Sequence, residues 1–174
     1  MVFLLSLLLT SLALAQDLTG YWLSYKSSSN DPSSIIYIQK AEDGTFYGTA
    51  VAGFHYDGTH SDAICSQCSD KTSLGEYGLK KNEPVLGKII MWSFVPNYGR
   101  WVDGKLLRVK NGTIYGCDLS LESEGRILAV KVKTGFFSKT VKWTKVSDNA
   151  YKQYCAGKSI DMRGKTFTAT CRDK

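Results

Sequence analysis

The chain has 174 residues, 43% of them hydrophobic and 12% aromatic, with five cysteines and 22 Lys and Arg against 16 Asp and Glu, a formal net charge of +6. That length holds one domain with a real core and leaves no room for a second. The charge is lopsided: up to Ser138 the basic and acidic residues cancel, and the whole excess falls from Lys139 onward, where only Asp148, Asp161 and Asp173 oppose it. Such an excess can attract an acidic surface in a salt-dependent way. A nucleic-acid partner is not expected, because no groove-forming alternation of aromatic and basic residues occurs.

Residues 1–15 form an apolar run ending in Ala13-Leu14-Ala15 and followed by Gln16-Asp17. The run is short for a hydrocarbon core of about 30 Å, so it reads as a signal peptide cleaved after Ala15. It carries no Lys or Arg, a departure from the usual charged start. No later stretch is apolar and long enough to form a transmembrane segment, so the mature chain is expected to be secreted or periplasmic. The division is then 1–15 signal peptide, 16–146 β-barrel and 147–174 a basic, cysteine-containing extension.

Period-two alternation dominates the mature chain. Gly20-Tyr21-Trp22 opens a first strand over Thr19–Lys26, and the Ser27–Pro32 cluster ends it. Ser34–Lys40 follows, with Ile36 and Ile38 on one face. Asp43-Gly44 turns the chain into Phe46–Val51, since an Asp-Gly pair tolerates the positive φ of a tight turn. Ala52–Pro84 lacks a clear period and reads as a long packed loop or lid. Strands resume at Val85–Val95, Arg100–Val109, Thr113–Leu121, Arg126–Lys133 and Lys139–Val146. Asn111-Gly112 marks a further hairpin, and Asn111-Gly112-Thr113 is also a glycosylation sequon. Tyr21, Leu23 and Tyr25 make the more apolar face of the first strand, so an inward Trp22 would call for a bend or bulge there. Eight hairpin-linked strands without helical crossovers predict an all-β, antiparallel up-and-down barrel, with a β-sandwich as the alternative.

The five cysteines of an exported chain permit two disulfides and leave one thiol over. Cys65–Cys68 is expected to tie the long loop and Cys155–Cys171 the extension. Cys117 shares the face of Tyr115, Leu119 and Leu121 and reads as a small buried residue. Cys65-Ser66-Gln67-Cys68 invites two sharper readings. Redox chemistry needs a strand before the pair and a helix after it, and the flanks read as loop. Zinc could use His55, His60, Cys65 and Cys68, but oxidising conditions favour a disulfide, so no metal and no cofactor is expected.

Several spaced motifs together resemble a family of secreted proteins, the lipocalin-like group under domain of unknown function 2147. They are Gly20-Tyr21-Trp22, Asp43-Gly44 with Tyr47-Gly48, Cys65-x-x-Cys68, Leu86-Gly87, Trp101-x-x-Gly104, Gly112-x-x-Tyr115, Gly135 and Trp143. The similarity runs from about Leu18 to Val146. It implies a calycin-type, lipocalin-like barrel, in which Trp22 crosses the closed end beside a basic side chain, Lys142 or Lys145. Gly20, Trp22, Trp143 and Lys142 are then barrel-closing structural residues.

The expected function is to hold a small apolar or amphipathic molecule inside the barrel. Candidate liners are Ile36, Ile38, Phe46, Trp92, Phe94, Tyr115, Leu119 and Leu121, each of which could equally fill the core. The alternative is a secreted interaction protein using its outer face or basic tail on an acidic partner. An enzyme is not expected: no Gly-x-Ser-x-Gly elbow, P-loop or HExxH helix occurs, so the list of catalytic residues is empty.

Overall fold

The computed structural model describes residues 17–56, 63–69 and 79–172. The expected signal peptide and His60 lie outside them, as does most of the middle of the long loop. Among these residues ten strands, one α-helix and a 3-10 turn at Ser123–Gly125 follow in order. They are β1 Gly20–Tyr25, β2 Pro32–Lys40, β3 Phe46–Tyr56, β4 Ile89–Asn97, β5 Arg100–Arg108 and β6 Thr113–Glu122. β7 Ile127–Thr134, β8 Phe137–Val146, α1 Asp148–Cys155, β9 Ile160–Met162 and β10 Lys165–Cys171 complete the chain.

Each of β1 to β8 pairs antiparallel with its neighbour in sequence, and β8 returns to β1, so eight strands close into the expected up-and-down barrel. Closure leaves these strands without a free edge. Glycines let the wall come close to its own filling. A Cβ on Gly104 would lie 2.1–2.5 Å from atoms of the Phe94 ring, and one on Gly48 would lie 2.5–2.8 Å from Met91 and Ile36. Both positions are therefore kept bare so that Phe94 and Met91 can occupy the barrel interior.

The extension is folded, and it explains two departures from the sequence expectation. Residues Ala52 to Tyr56, expected as loop, continue β3, because β10 pairs with them from Cys171↔Ala52 to Phe167↔Tyr56. β3 thus gives its first half to β4 and its second half to β10. β4 correspondingly begins at Ile89 and not at Val85.

A second core lies on the outer face of β1 to β3. Tyr21, Leu23, Ile35, Val51, Ala52 and Phe54 are covered there by Tyr151 of α1 and Phe167 of β10. Tyr21 stacks on Tyr151 with ring centroids 4.2 Å apart, and Phe54 meets Tyr154 edge-on at 5.6 Å. No bend at Trp22 is needed. The β1–β2 register is regular from Gly20 to Ser24, with its only irregularity at Ser24/Tyr25. Trp22 faces the barrel core and Tyr21 and Leu23 the outer one, so both faces of the strand are buried.

Ser147 caps α1 by accepting a hydrogen bond from the Ala150 N–H at 3.1 Å. The Cys155–Cys171 disulfide ties the helix end to β10. Arg163 and Lys165 reach Asp31 in the β1–β2 loop at 2.8 and 3.7 Å. Closing a loop of this size contributes about 3 kcal/mol, chiefly by restricting the unfolded chain.

Candidate functional site

One end of the barrel is sealed by aromatic side chains. Gly20 adopts φ +117°, and a Cβ there would sit 3.3 Å from the Lys145 Cε and Nζ atoms. Its absence lets Lys145 lie over Trp22, with Nζ 4.5 Å from the ring centroid, while Nζ donates to the Thr19 carbonyl. The Trp22 indole N–H donates to the Leu18 carbonyl at 2.9 Å, so the ring is fully buried without an unpaired donor. Burial draws the Lys145 ammonium below its usual pKa, against the opposing attraction of Asp17 and Asp148. Lys142 does not take part. It pairs with Glu122 at 2.7 Å on an exposed face, since it is one residue out of phase with Trp143 and Lys145 along β8. The place expected for Lys142 therefore belongs to Lys145. Trp143 is buried in the same core, and Phe46 meets Trp101 edge-on at 6.0 Å nearby.

The eight candidate liners separate into three groups. Ile36, Ile38, Phe46, Phe94 and Leu119 are buried within the barrel core. Leu121 and Tyr115 are half-buried, Leu121 near the sealed end and Tyr115 toward the opposite one. Trp92 does not share the face of Phe94. Ser93 takes φ 62° and breaks the alternation, so Met91 pairs with Leu106 while Trp92, partly buried and packed against the core cluster, pairs with Lys105 on the opposite row. A matching irregularity at Asp103, φ 59°, returns Gly104 to the inside; the Asp103 N–H donates to buried Asp118 at 3.2 Å.

The opposite end is covered differently. Cys65 and Cys68 are joined by a disulfide and buried against the barrel core, with Leu79, Val85 and Leu86. A Cβ on Gly112 would lie 2.0 Å from the Gln67 carbonyl oxygen, so the Cys65–Cys68 loop rests directly on the β5–β6 turn. That turn joins β5 to β6 over residues 109–112: Gly112 has φ +65° and Asn111 does not enter the left-handed region. Asn111 instead accepts from the Thr113 N–H and donates to the Tyr115 hydroxyl, both at 3.2 Å. The latter bond holds the Tyr115 phenol below its ordinary pKa. Toward the same end the inward apolar residues Leu106, Tyr115, Val132 and Val141 are only partly buried.

Beside this end the β1–β8 seam opens. Pairing covers only Tyr21 to Leu23, and a hydrogen bond of 3.0 Å from Tyr25 to Thr144 marks its limit. Beyond it, Tyr25, Lys26, Ser27 and Asn30 face residues 139–142 across a groove of about 220 Å³. Leu106, Val132, Val141 and Lys139 were not singled out from sequence, although they occupy alternate positions of their strands.

The remaining chemistry is restrained. Cys65 and Cys68 are consumed by their disulfide and are not available as thiolate ligands. Burial pushes the Cys117 thiol up to about 12, so it is not a nucleophile near neutral pH. Nor is the extension a loose basic arm: Arg163 and Lys165 engage Asp31, Lys158 donates to Gln153, and Arg172 donates to the Leu86 carbonyl.

A family model described as "Uncharacterized protein conserved in bacteria (DUF2147)" matches residues 20–145. The chain belongs to this family. The match ends where α1, β9 and β10 begin, so the helix and strands that cover the outer core lie beyond it. Among solved structures, protein HP1028 from the human pathogen Helicobacter pylori, described as belonging to the lipocalin family, is similar with a TM-score of 0.63. The two share 18% identity over 85% of this chain and 94% of that one, a likeness of fold. No curated protein matches. The two disulfides and the lipocalin-type barrel are consistent with an extracellular or periplasmic location.

Proposed function

We propose that this is a secreted, non-enzymatic binding protein that takes a small apolar or amphipathic molecule at the loop-covered end of its barrel. The observation that carries the reading is the gradient of filling along the barrel. Trp22 and Phe94 fill the sealed end and centre, whereas Tyr115, Val132 and Val141 leave apolar surface half-covered toward the other end. Partly covered apolar surface with a few polar groups beside it is what a small ligand needs. The Tyr115 hydroxyl and the lysines of the seam would orient a polar or anionic head, with the apolar part against Val132 and Val141. Ligand entry would displace the Cys65–Cys68 loop or use the seam.

Displacement of a fluorescent fatty acid, checked by native mass spectrometry of the purified protein, tests the reading. The expected result is binding that V132W or Y115W weakens and that F94L, in the filled centre, leaves nearly unchanged. A protein that binds none of several apolar classes, or binds them regardless of V132W and Y115W, would sink the idea.

A further inference from the structure

The β7–β8 hairpin ends in Gly135-Phe136-Phe137, with Gly135 at φ +60°. Phe136 is 106% and Phe137 79% exposed, so two adjacent aromatic rings stand in solvent at one tip. A lone exposed aromatic needs no explanation, and Tyr98 on another hairpin is one. Two adjacent rings held at a turn by well-paired strands, Lys133↔Ser138 and Thr134↔Phe137, are a different case.

The charge around this tip has one sign. No Asp or Glu occurs between Glu124 and Asp148; Lys131, Lys133 and Lys139 stand on the two strands next to the rings, and Lys142 lies further along β8. Lys133 is neutralised by Asp118 at 2.8 Å and Lys142 by Glu122 at 2.7 Å. Lys131 and Lys139 form no ion pair among the described residues, nor does Lys26 across the seam groove that Lys139 lines. Exposed aromatic rings bordered by uncompensated lysines match the two layers of a membrane surface. The rings suit the acyl boundary and the lysines the anionic headgroups.

We propose that the β7–β8 tip is a membrane-docking element for an anionic lipid surface. Phe136 and Phe137 enter the interface, Lys131 and Lys139 meet headgroup phosphates, and the seam groove between Lys26 and Lys139 accepts one of them. The docking does not depend on a ligand in the barrel. It is also distinct from a basic-tail interaction, because the residues belong to the barrel.

Co-sedimentation with vesicles of phosphatidylcholine doped with phosphatidylglycerol, and with phosphatidylcholine alone, tests it. The mature protein should bind the anionic vesicles preferentially and lose binding as salt rises. F136S/F137S, at exposed positions where folding is checked by circular dichroism, should weaken partitioning about tenfold. K131E/K139E should remove the preference for anionic vesicles, and K152E/K158E in the extension should not. Absent binding, equal binding to both vesicle types, or binding insensitive to F136S/F137S would overturn the proposal. So would a concentration-dependent dimer in sedimentation velocity that F136S/F137S abolishes, since a second copy would then be what covers the rings.

Discussion

The two ends of the barrel share the same strands and the same inward alternation, yet they are closed by different means. At one end Trp22 is held by Lys145 and the Leu18 carbonyl, with Trp143, Phe46 and Trp101 in the same core. At the other, a loop pinned by Cys65–Cys68 rests on Gly112 of the β5–β6 turn, and the inward side chains toward that end are only partly buried. A rigid aromatic plug made from wall residues can be removed only by unfolding the wall. A loop resting on a turn can move while the strand pairing beneath it stays intact. The contrast makes the first end a closure of packed wall residues and the second a closure by a disulfide-tied loop. The exposed Phe136 and Phe137 lie toward the second, since β7 ends and β8 begins there.

Truncating the plug should have the largest effect. W22A is expected to lower unfolding free energy by about 3–5 kcal/mol in urea titration, as for other large-to-small changes of buried aromatic residues. A loss below about 1 kcal/mol would mean the end is not sealed by Trp22. Next comes the loop: C65S/C68S should cost about 2 kcal/mol through a more expanded unfolded chain. Hydrogen exchange should then quicken around residues 63–69 and the β5–β6 turn but not around β1. Equal loss of protection at both ends would erase the distinction.

The smallest effects separate two lysines of the same strand. K145A should cost about 0.5–2 kcal/mol by removing the cation over Trp22. K142A, which breaks only an exposed pair with Glu122, should stay within about 1 kcal/mol. Urea midpoints in the reverse order would show that Lys145 is not part of the seal.

Period-two alternation from Ser34 to Val146 was sufficient to place most strands within a few residues, and the Cys65–Cys68 and Cys155–Cys171 pairs stand as disulfides. Alternation failed where the backbone leaves the strand geometry it assumes. Ser93 and Asp103 at positive φ invert the phase of β4 and β5, so Trp92 and Phe94 do not share a face. No local residue pattern marks those two positions, because Ser and Asp are common on ordinary strand faces. The choice between Lys142 and Lys145 was equally open, for both are cations near Trp143, and only the phase of β8 against β1 separates them.

The sequence by itself determined the all-β class and the hairpin order, because these depend on local alternation and turn chemistry; the closing place of Trp22 was implied by the family resemblance and not by alternation. Tertiary structure alone decided that β1 is buried on both faces. The covering for Tyr21 and Leu23 comes from Tyr151 and Phe167, more than a hundred residues away in the chain. It also decided how full the barrel is, since the room for Phe94 and Met91 exists only where Gly104 and Gly48 are brought opposite them. Burial is a property of neighbours, and distant neighbours are what folding brings together.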